Sequence, residues 1–190
     1  MTYDIVRVWH RDCWCPPSGK PQLPRREISP HRTYGATVKF LLSQTEKDGI
    51  WFWEHDVESD EITFEVMKNI LDKMPHDIIV AFPYYLYPAT TGLDKPISSN
   101  RVAINERGKT KFLNLLSLPE SEFGWIISLF GMGCTYLPKS VADLIDPNWD
   151  YPDFDSRLSM HIHFNHPEIT RWSPPILADH PLEIGGFKRV

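Results

Sequence analysis

The chain has 190 residues, of which 42 % are hydrophobic and 24 % charged, a balance typical of a folded globular protein and not of a disordered chain. No apolar run approaches the ~20 residues that span a bilayer, and the three cysteines form an odd set that is expected to stay reduced. The net charge is −5, although residues 1–47 carry eight Lys or Arg residues against four acids. We expect one domain over residues 1–190, located in the cytoplasm and without a membrane partner.

The first half of the chain alternates between strand-like and helix-like patterns. β-Branched runs indicate strands, and apolar residues at helical spacing indicate helices. The predicted order is strand 4–9, helix 33–46, strand 50–53, helix 61–74 and strand 77–82. Ser59 or Asp60 is the expected cap of the second helix. This order predicts an α/β fold of three layers, α/β/α, with a mainly parallel, Rossmann-like sheet.

The second half is less regular. Residues 83–111 are rich in Pro, Gly, Ser and Asn, which predicts a long loop with a short hairpin. A strand over 125–130 then runs into the turn Gly131-Met-Gly133-Cys134-Thr135. Helices near 139–145 and 155–161 and a last strand over 169–175 follow, and the last strand leads to Asp179-His180.

The most informative motif is the abrupt end of the apolar strand 50–53 at Glu54-His55-Asp56. In an open α/β sheet, ligands bind at the carboxyl ends of the strands. Carboxylates placed there can hold a divalent cation and, through it, a phosphate. The motif therefore predicts a metal-dependent site that uses a nucleotide, although the same two acids could simply cap the end of the strand and the helix after it.

Together these motifs resemble the GT-A glycosyltransferases over most of the chain. The resemblance implies that Glu54, Asp56 and His180 bind Mn²⁺ or Mg²⁺ on a nucleotide-sugar donor, by default a UDP-sugar. It further implies that Asp155 is the catalytic base, with Asp153 as its competitor. The remaining donor-binding positions are assigned on the same basis to Arg11, Gly131 and Gly133.

The chemistry of these residues agrees with that implication. A cation held by carboxylates neutralises the charge that develops on the leaving diphosphate, and a mixed carboxylate and imidazole shell suits Mn²⁺. An acceptor hydroxyl becomes a good nucleophile when a positioned carboxylate takes its proton. Such a base would make the reaction inverting. Small glycines would let backbone amides approach the donor.

The acceptor is open at the level of sequence. Two basic sets could bind phosphates, which makes a hydroxymethylated base in DNA, as in bacteriophage DNA-modifying enzymes, one candidate. Polysaccharide, lipid-linked and protein acceptors fit the motifs equally well. The basic sets are Arg25, Arg26 and Arg32, and Arg101, Arg107, Lys109 and Lys111.

Other readings remain. His161-Ile-His163-Phe-Asn-His166 would place alternate histidines on one strand face, as in the two-histidine, one-carboxylate centre of a hydrolase or oxygenase. A non-catalytic nucleotide-sugar-binding module is a further alternative. Zinc at His10, Cys13 and Cys15 is disfavoured, because a second ligand pair at zinc-site spacing is missing. Tyr84, Tyr85 and Tyr87 follow a strand and could stack on a base or sugar ring.

Overall fold

The computed structural model describes residues 1–10, 20–28, 31–86, 97–176 and 178. Several predicted positions lie outside these residues, namely Arg11, Cys13, Cys15, Tyr87, Asp179 and His180. Within the described ranges, none of the helices has the length and apolar character that crossing a bilayer requires.

The described residues form an α/β fold of eleven strands and three α-helices, with two short 3₁₀ helices at Leu115–Ser117 and Lys139–Leu144. The first half of the chain contains β1 (Tyr3–His10), β2 (Arg25–Ile28), α1 (Tyr34–Gln44), β3 (Gly49–Glu54), α2 (Glu61–Leu71), β4 (Ile79–Ala81) and β5 (Tyr85–Leu86). The second half contains β6 (Ile97–Ser98), β7 (Arg101–Glu106), β8 (Lys109–Asn114), β9 (Trp125–Ile126), β10 (Cys134–Pro138), α3 (Phe154–Asn165) and β11 (Arg171–Ser173).

Seven strands form one mixed sheet in the order β2-β1-β3-β10-β4-β11-β9. Three of its six pairings are parallel and three are antiparallel, so the expected mainly parallel sheet is corrected to a mixed one. Two of the antiparallel pairings are made by β10, and the third is made by β9 with β11. β10 begins beside the carboxyl end of β3, where Cys134 pairs with Trp53. A strand that starts at this edge must run against its neighbours.

Local sequence explains where the helices begin. Thr33 caps α1 by accepting a hydrogen bond from the amide of Ala36 at 3.1 Å, and Asp60 caps α2 by accepting one from the amide of Thr63 at 2.8 Å. The predicted Asp60 cap is thus confirmed. Each such cap contributes about 1 kcal/mol, because it satisfies an amide that the helix itself leaves unbonded.

The expected hairpin in the loop region is also present, as β7 and β8. Its two turn residues, Arg107 and Gly108, have φ angles of 53° and 77°. Positive φ at both positions is required by the type I′ hairpin turn, whose backbone twist matches that of the strands. β5 and β6 form a second, shorter antiparallel pair, so the described residues 83–86 and 97–111 contain more strand than the composition predicts.

Successive residues of β3 alternate between two hydrophobic clusters. Ile50 and Phe52 pack with residues of α1 and α3, whereas Trp51 and Trp53 pack with residues of α2. The Trp51 ring is stacked on Phe64 with centroids 5.3 Å apart. Burial of each such side chain contributes about 1.5–3 kcal/mol. The strand is thereby held on both sides, and its carboxyl end is rigidly placed.

Candidate functional site

The parallel strands β1, β3, β4 and β11 all end at one border of the sheet, which we call the carboxyl edge. Glu54 is the last residue of β3 at this edge. The segment after β4 is tied to it, because the amide of Phe82 donates to the carbonyl of Cys134 at 2.9 Å and that of Glu54 donates to the carbonyl of Gly133 at 2.9 Å. The acidic motif therefore begins at the carboxyl edge, as the sequence predicts, on the third of the seven strands of the sheet.

A buried arginine holds the turn that carries the motif. The Nη1 atom of Arg7 donates to the backbone oxygens of Glu54 and Val57, both at 2.8 Å, and to that of His55 at 3.3 Å. Its Nη2 atom donates to the backbone oxygen of Lys20 at 2.9 Å. Burial is the main cause that lowers the pKa of Arg7, to about 10, so the guanidinium stays charged at neutral pH. Arg7 fixes the backbone from which Glu54 and Asp56 project.

Sequence reasoning missed this role of Arg7, although a signal was present. Arg7 lies between Val6 and Val8 in an otherwise apolar strand, and it is fully buried. A charged residue inside such a strand must satisfy several donors, and the guanidinium carries five.

Two carboxyl groups of the motif at the end of β3 and one of α3 interact at this edge. The pKa of Glu54 is raised well above its usual value, first by burial and then by the negative charges of Asp56 and Asp155. Burial also raises the pKa of Asp155, to about 6, against the opposing hydrogen bond from the amide of Ser156 at 2.7 Å. All three side chains are only partly buried, so solvent reaches them. The same arrangement attracts a cation, since the negative charges of Asp56 and Asp155 destabilise the ionised form of Glu54.

Two buried tyrosines border this acidic cluster. The Tyr34 hydroxyl donates to Oε1 of Glu54 at 3.3 Å, and the Tyr84 hydroxyl accepts a hydrogen bond from the amide of Gly133 at 3.3 Å. Burial and the charge of Glu54 raise the pKa of both phenols, so both are neutral. The Tyr84 ring is only 3 % exposed and is therefore not available for the predicted stacking on a ligand.

The glycine turn is shaped around Tyr84. A Cβ atom at Gly133 would lie 2.5 Å from carbons of the Tyr84 ring, and one at Gly131 would collide with the Tyr84 hydroxyl. The amide of Gly131 donates a hydrogen bond to Oδ1 of Asn100 at 3.2 Å, and the amide of Gly133 donates one to the Tyr84 hydroxyl. The glycines thus bring β10 close to the segment after β4. Their contact with a donor stays a prediction.

The two candidate bases differ in their surroundings. Asp155 lies in the first turn of α3, and its negative charge acts on the carboxyl group of Glu54. The side chain of Asp153 is 67 % exposed and lies 3.9 Å from Nη2 of Arg157, one helical turn away. Of the two, Asp155 is the one whose charge raises the pKa of Glu54. Its neighbour Phe154 packs on Tyr34, the tyrosine bonded to Glu54, with ring centroids 4.8 Å apart.

The histidine motif is not on a strand, so the premise of the hydrolase or oxygenase reading is wrong. His161 and His163 belong to α3, where residues two apart point to different sides of the helix. The His161 ring packs against Trp149 with centroids 5.6 Å apart, and the His163 ring packs against Phe112 at 5.8 Å. A His-x-His pattern is too short to distinguish the two-residue period of a strand from the 3.6-residue period of a helix. In the structure it lies within the continuous helix α3.

The predicted metal ligands are partly described. In the ranges that the structure describes, no group of three or more His, Cys, Asp or Glu side chains is arranged to hold a metal ion. Glu54 and Asp56 provide two carboxylates, and His180 lies outside the described residues. Ala178, two positions before it, donates its amide to the carbonyl of Pro83 at 2.9 Å and pairs with Tyr84. The set Glu54, Asp56 and His180 stays a prediction.

The basic sets are separated in the structure. Arg25 and Arg26 are exposed on β2, at one end of the large sheet, whereas Arg107 and Lys109 are exposed on the β7–β8 hairpin. Lys111 of the hairpin forms an ion pair with Glu106. No single continuous basic surface is therefore formed by these described residues.

Comparison with known proteins supports the fold alone. No protein-family model and no curated protein matches the chain. Among solved structures, the crystal structure of A197 from STIV is similar, with a TM-score of 0.51 and 13 % sequence identity. The similarity covers 95 % of this chain and 86 % of that one, so nearly all of the chain takes part in the shared α/β architecture.

Proposed function

We propose that the protein is a metal-dependent glycosyltransferase that moves a sugar from a nucleotide-sugar, by default a UDP-sugar, to an acceptor hydroxyl. The observation that carries this proposal is the convergence of Glu54, Asp56 and Asp155 at the carboxyl edge. The two hydrophobic clusters on β3 support the finer fold assignment, a three-layer α/β/α arrangement of the GT-A type. Hydrolase and oxygenase chemistry at the histidine motif loses its support with the helical assignment of that segment.

Glu54 and Asp56 would hold Mn²⁺ or Mg²⁺, with His180 as the third protein ligand. Their fit to a cation rests on an observation of this structure, because the charge of Asp56 contributes to the raised pKa of Glu54 and a bound cation would relieve that repulsion. When bound, the metal supplies positive charge to the diphosphate leaving group. Arg7 holds the backbone of both carboxylates in place through the carbonyls of the turn.

Asp155 would act as the base that takes the proton from the acceptor hydroxyl. A pKa of about 6 makes its carboxylate a stronger base than an ordinary Asp, while leaving it mostly ionised at neutral pH. The acceptor oxygen would then attack the anomeric carbon of the donor as the bond to the diphosphate breaks, with inversion. Asp153, which is exposed, would not share this role.

Isothermal titration of UDP and UDP-glucose, with and without Mn²⁺, tests the proposal. We expect Mn²⁺-dependent UDP binding by the wild type, lost in Asp56→Asn and retained in Asp153→Asn, the matched exposed control. Release of UDP from UDP-glucose in the absence of an acceptor separates an enzyme from a binding module, and it should be lost in Asp155→Asn while UDP binding persists. Absence of UDP binding with either metal would refute the glycosyltransferase assignment.

A further inference from the structure

A pocket lies at the carboxyl edge, at the opposite end of the sheet from β2. It has a volume of about 450 Å³. Pro83 follows β4, Pro175 follows β11, and Trp125 is the first residue of β9; all three line the pocket. Leu115, Leu116 and Leu118 add to its apolar surface. Volumes of this size accommodate one or two sugar rings.

The pocket joins an apolar floor to acidic side chains. Glu120 and Glu122 line it and are exposed, whereas Leu115 is buried. Among the described residues that line it, none is Lys or Arg. Two carboxylates without a neighbouring cation in the lining repel phosphate, and they accept hydrogen bonds from hydroxyl groups.

The pocket shares a wall with the acidic cluster. Pro83 and Ser98 line it, and they directly precede Tyr84 and Ser99 in the chain. The amide of Ser99 donates to the carbonyl of Tyr84 at 2.9 Å, and the amide of Tyr84 donates to the Ser99 hydroxyl at 3.2 Å. The Tyr84 ring then contacts the glycine turn beside Glu54. A molecule in the pocket would therefore be held next to the cluster and outside it.

We propose that this pocket binds an uncharged sugar ring of the acceptor, so that the acceptor is a neutral saccharide and not DNA; the assignment to an acceptor rests on the proposed glycosyltransferase function. A sugar ring has an apolar C–H face, which suits Trp125, and a hydroxyl perimeter, which suits Glu120 and Glu122. A purely aliphatic ligand would leave both carboxylates desolvated without a hydrogen bond. A nucleic acid would bring its phosphates against two negative charges.

Binding to the pocket can be measured without donor or metal, by protein NMR titration with cellobiose and lactose as neutral probes. Glucuronate and a 20-base-pair DNA duplex serve as anionic probes. We expect the neutral disaccharides to shift the Trp125 indole signal, and the anionic probes to leave it unchanged. Glu122→Gln, at an exposed side chain, should weaken disaccharide binding about threefold to tenfold, because the amide still accepts the hydrogen bond but without the assistance of a negative charge.

Trp125→Ala should weaken disaccharide binding at least about tenfold, whereas Phe123→Ala should leave it unchanged. Phe123 is 84 % exposed, lies two residues away and is not part of the pocket lining, so it is the matched aromatic control. Failure of both disaccharides to shift Trp125, or binding of DNA there, would overturn the inference. If UDP binds with Mn²⁺ but the disaccharides do not, only the inference fails; if the disaccharides bind and UDP does not, the pocket stands and the transferase function fails.

Discussion

Removing the charge of Asp155 should stabilise the protein at neutral pH. The pKa of this group rises from 3.8 to about 6 on folding, mainly because of burial. The folded state therefore binds the proton more tightly than the unfolded state, and the contribution of Asp155 to stability falls as pH rises from about 4 through 6. The rise of about 2 pKa units corresponds to about 3 kcal/mol, and to about half that value when the partial exposure of the carboxyl is taken into account.

Asp155→Asn keeps the shape of the side chain and cannot ionise, so it should raise the free energy of unfolding at pH 8 by about 1.5–3 kcal/mol. At pH 4 the gain should fall to less than half, because the wild-type carboxyl is then almost fully protonated in the folded state and already roughly 40 % protonated in the unfolded state. Urea denaturation at both pH values, with EDTA present, measures the difference. For a chain of this length the gain at pH 8 corresponds to a rise in Tm of roughly 3–12 °C.

Asp153→Asn is the matched control. Its exposed carboxylate lies at the start of α3 and pairs weakly with Arg157, so its loss should lower the free energy of unfolding by no more than about 1 kcal/mol. The two neighbouring substitutions should therefore change stability in opposite directions. Equal stability of Asp155→Asn and the wild type at pH 8, or a gain that is the same at pH 4, would show that Asp155 is not a buried charge of the acidic cluster.

Three further substitutions test the supports of the site. Gly133→Ala should lower the free energy of unfolding in urea by more than about 2 kcal/mol, because its Cβ would lie 2.5 Å from the Tyr84 ring. Gly108→Ala is the control: its Cβ meets open space, so the free energy of unfolding should fall by only about 1 kcal/mol, because of the positive φ. Arg7→Lys retains the charge but loses the planar guanidinium, so we expect the free energy of unfolding to fall by about 3 kcal/mol and Mn²⁺-dependent UDP binding to weaken. Unchanged UDP binding would contradict a positioning role for Arg7. Met67→Ala, at a fully buried position of α2, should lower the free energy of unfolding by about 2–5 kcal/mol, measured by thermal unfolding, without changing UDP affinity. An altered affinity would show that α2 is coupled to the site.

Local patterns in the sequence were sufficient for most of the first half of the fold. The strands at 4–9 and 50–53 and the Asp60 cap were predictable, because periodicity and capping depend on residues close together in the chain. The position of β10 between β3 and β4 was not predictable, because pairing between segments distant in the chain leaves no local sequence signal. The predicted strand over 125–130 is reduced to two residues in β9 for a related reason, as its later residues bond to other segments.

In the candidate site, too, the features that depend on nearby residues were predictable and those that depend on distant segments were not. The location of Glu54 and Asp56 follows from an apolar strand that ends in acids, and the structure places them at the carboxyl edge. The assignment of Asp155 came from a resemblance, and the structure adds a physical reason to prefer it over Asp153. The function of Arg7 depends on carbonyl groups about fifty positions away, which a single sequence cannot reveal.

The central position of β10 also determines when the acidic motif can reach its final environment during synthesis. β3 is paired on one side with β1, but its other neighbour, residues 134–138, is made some eighty residues later. Until then one side of β3 presents unpaired backbone groups beside Trp51 and Phe52, a combination that favours association between nascent chains. A ribosome-bound chain that stops before residue 134 should therefore be protease-sensitive at β3, and a chain that has emerged past residue 138 should be protected. The order of synthesis makes the formation of the candidate site a late event in folding.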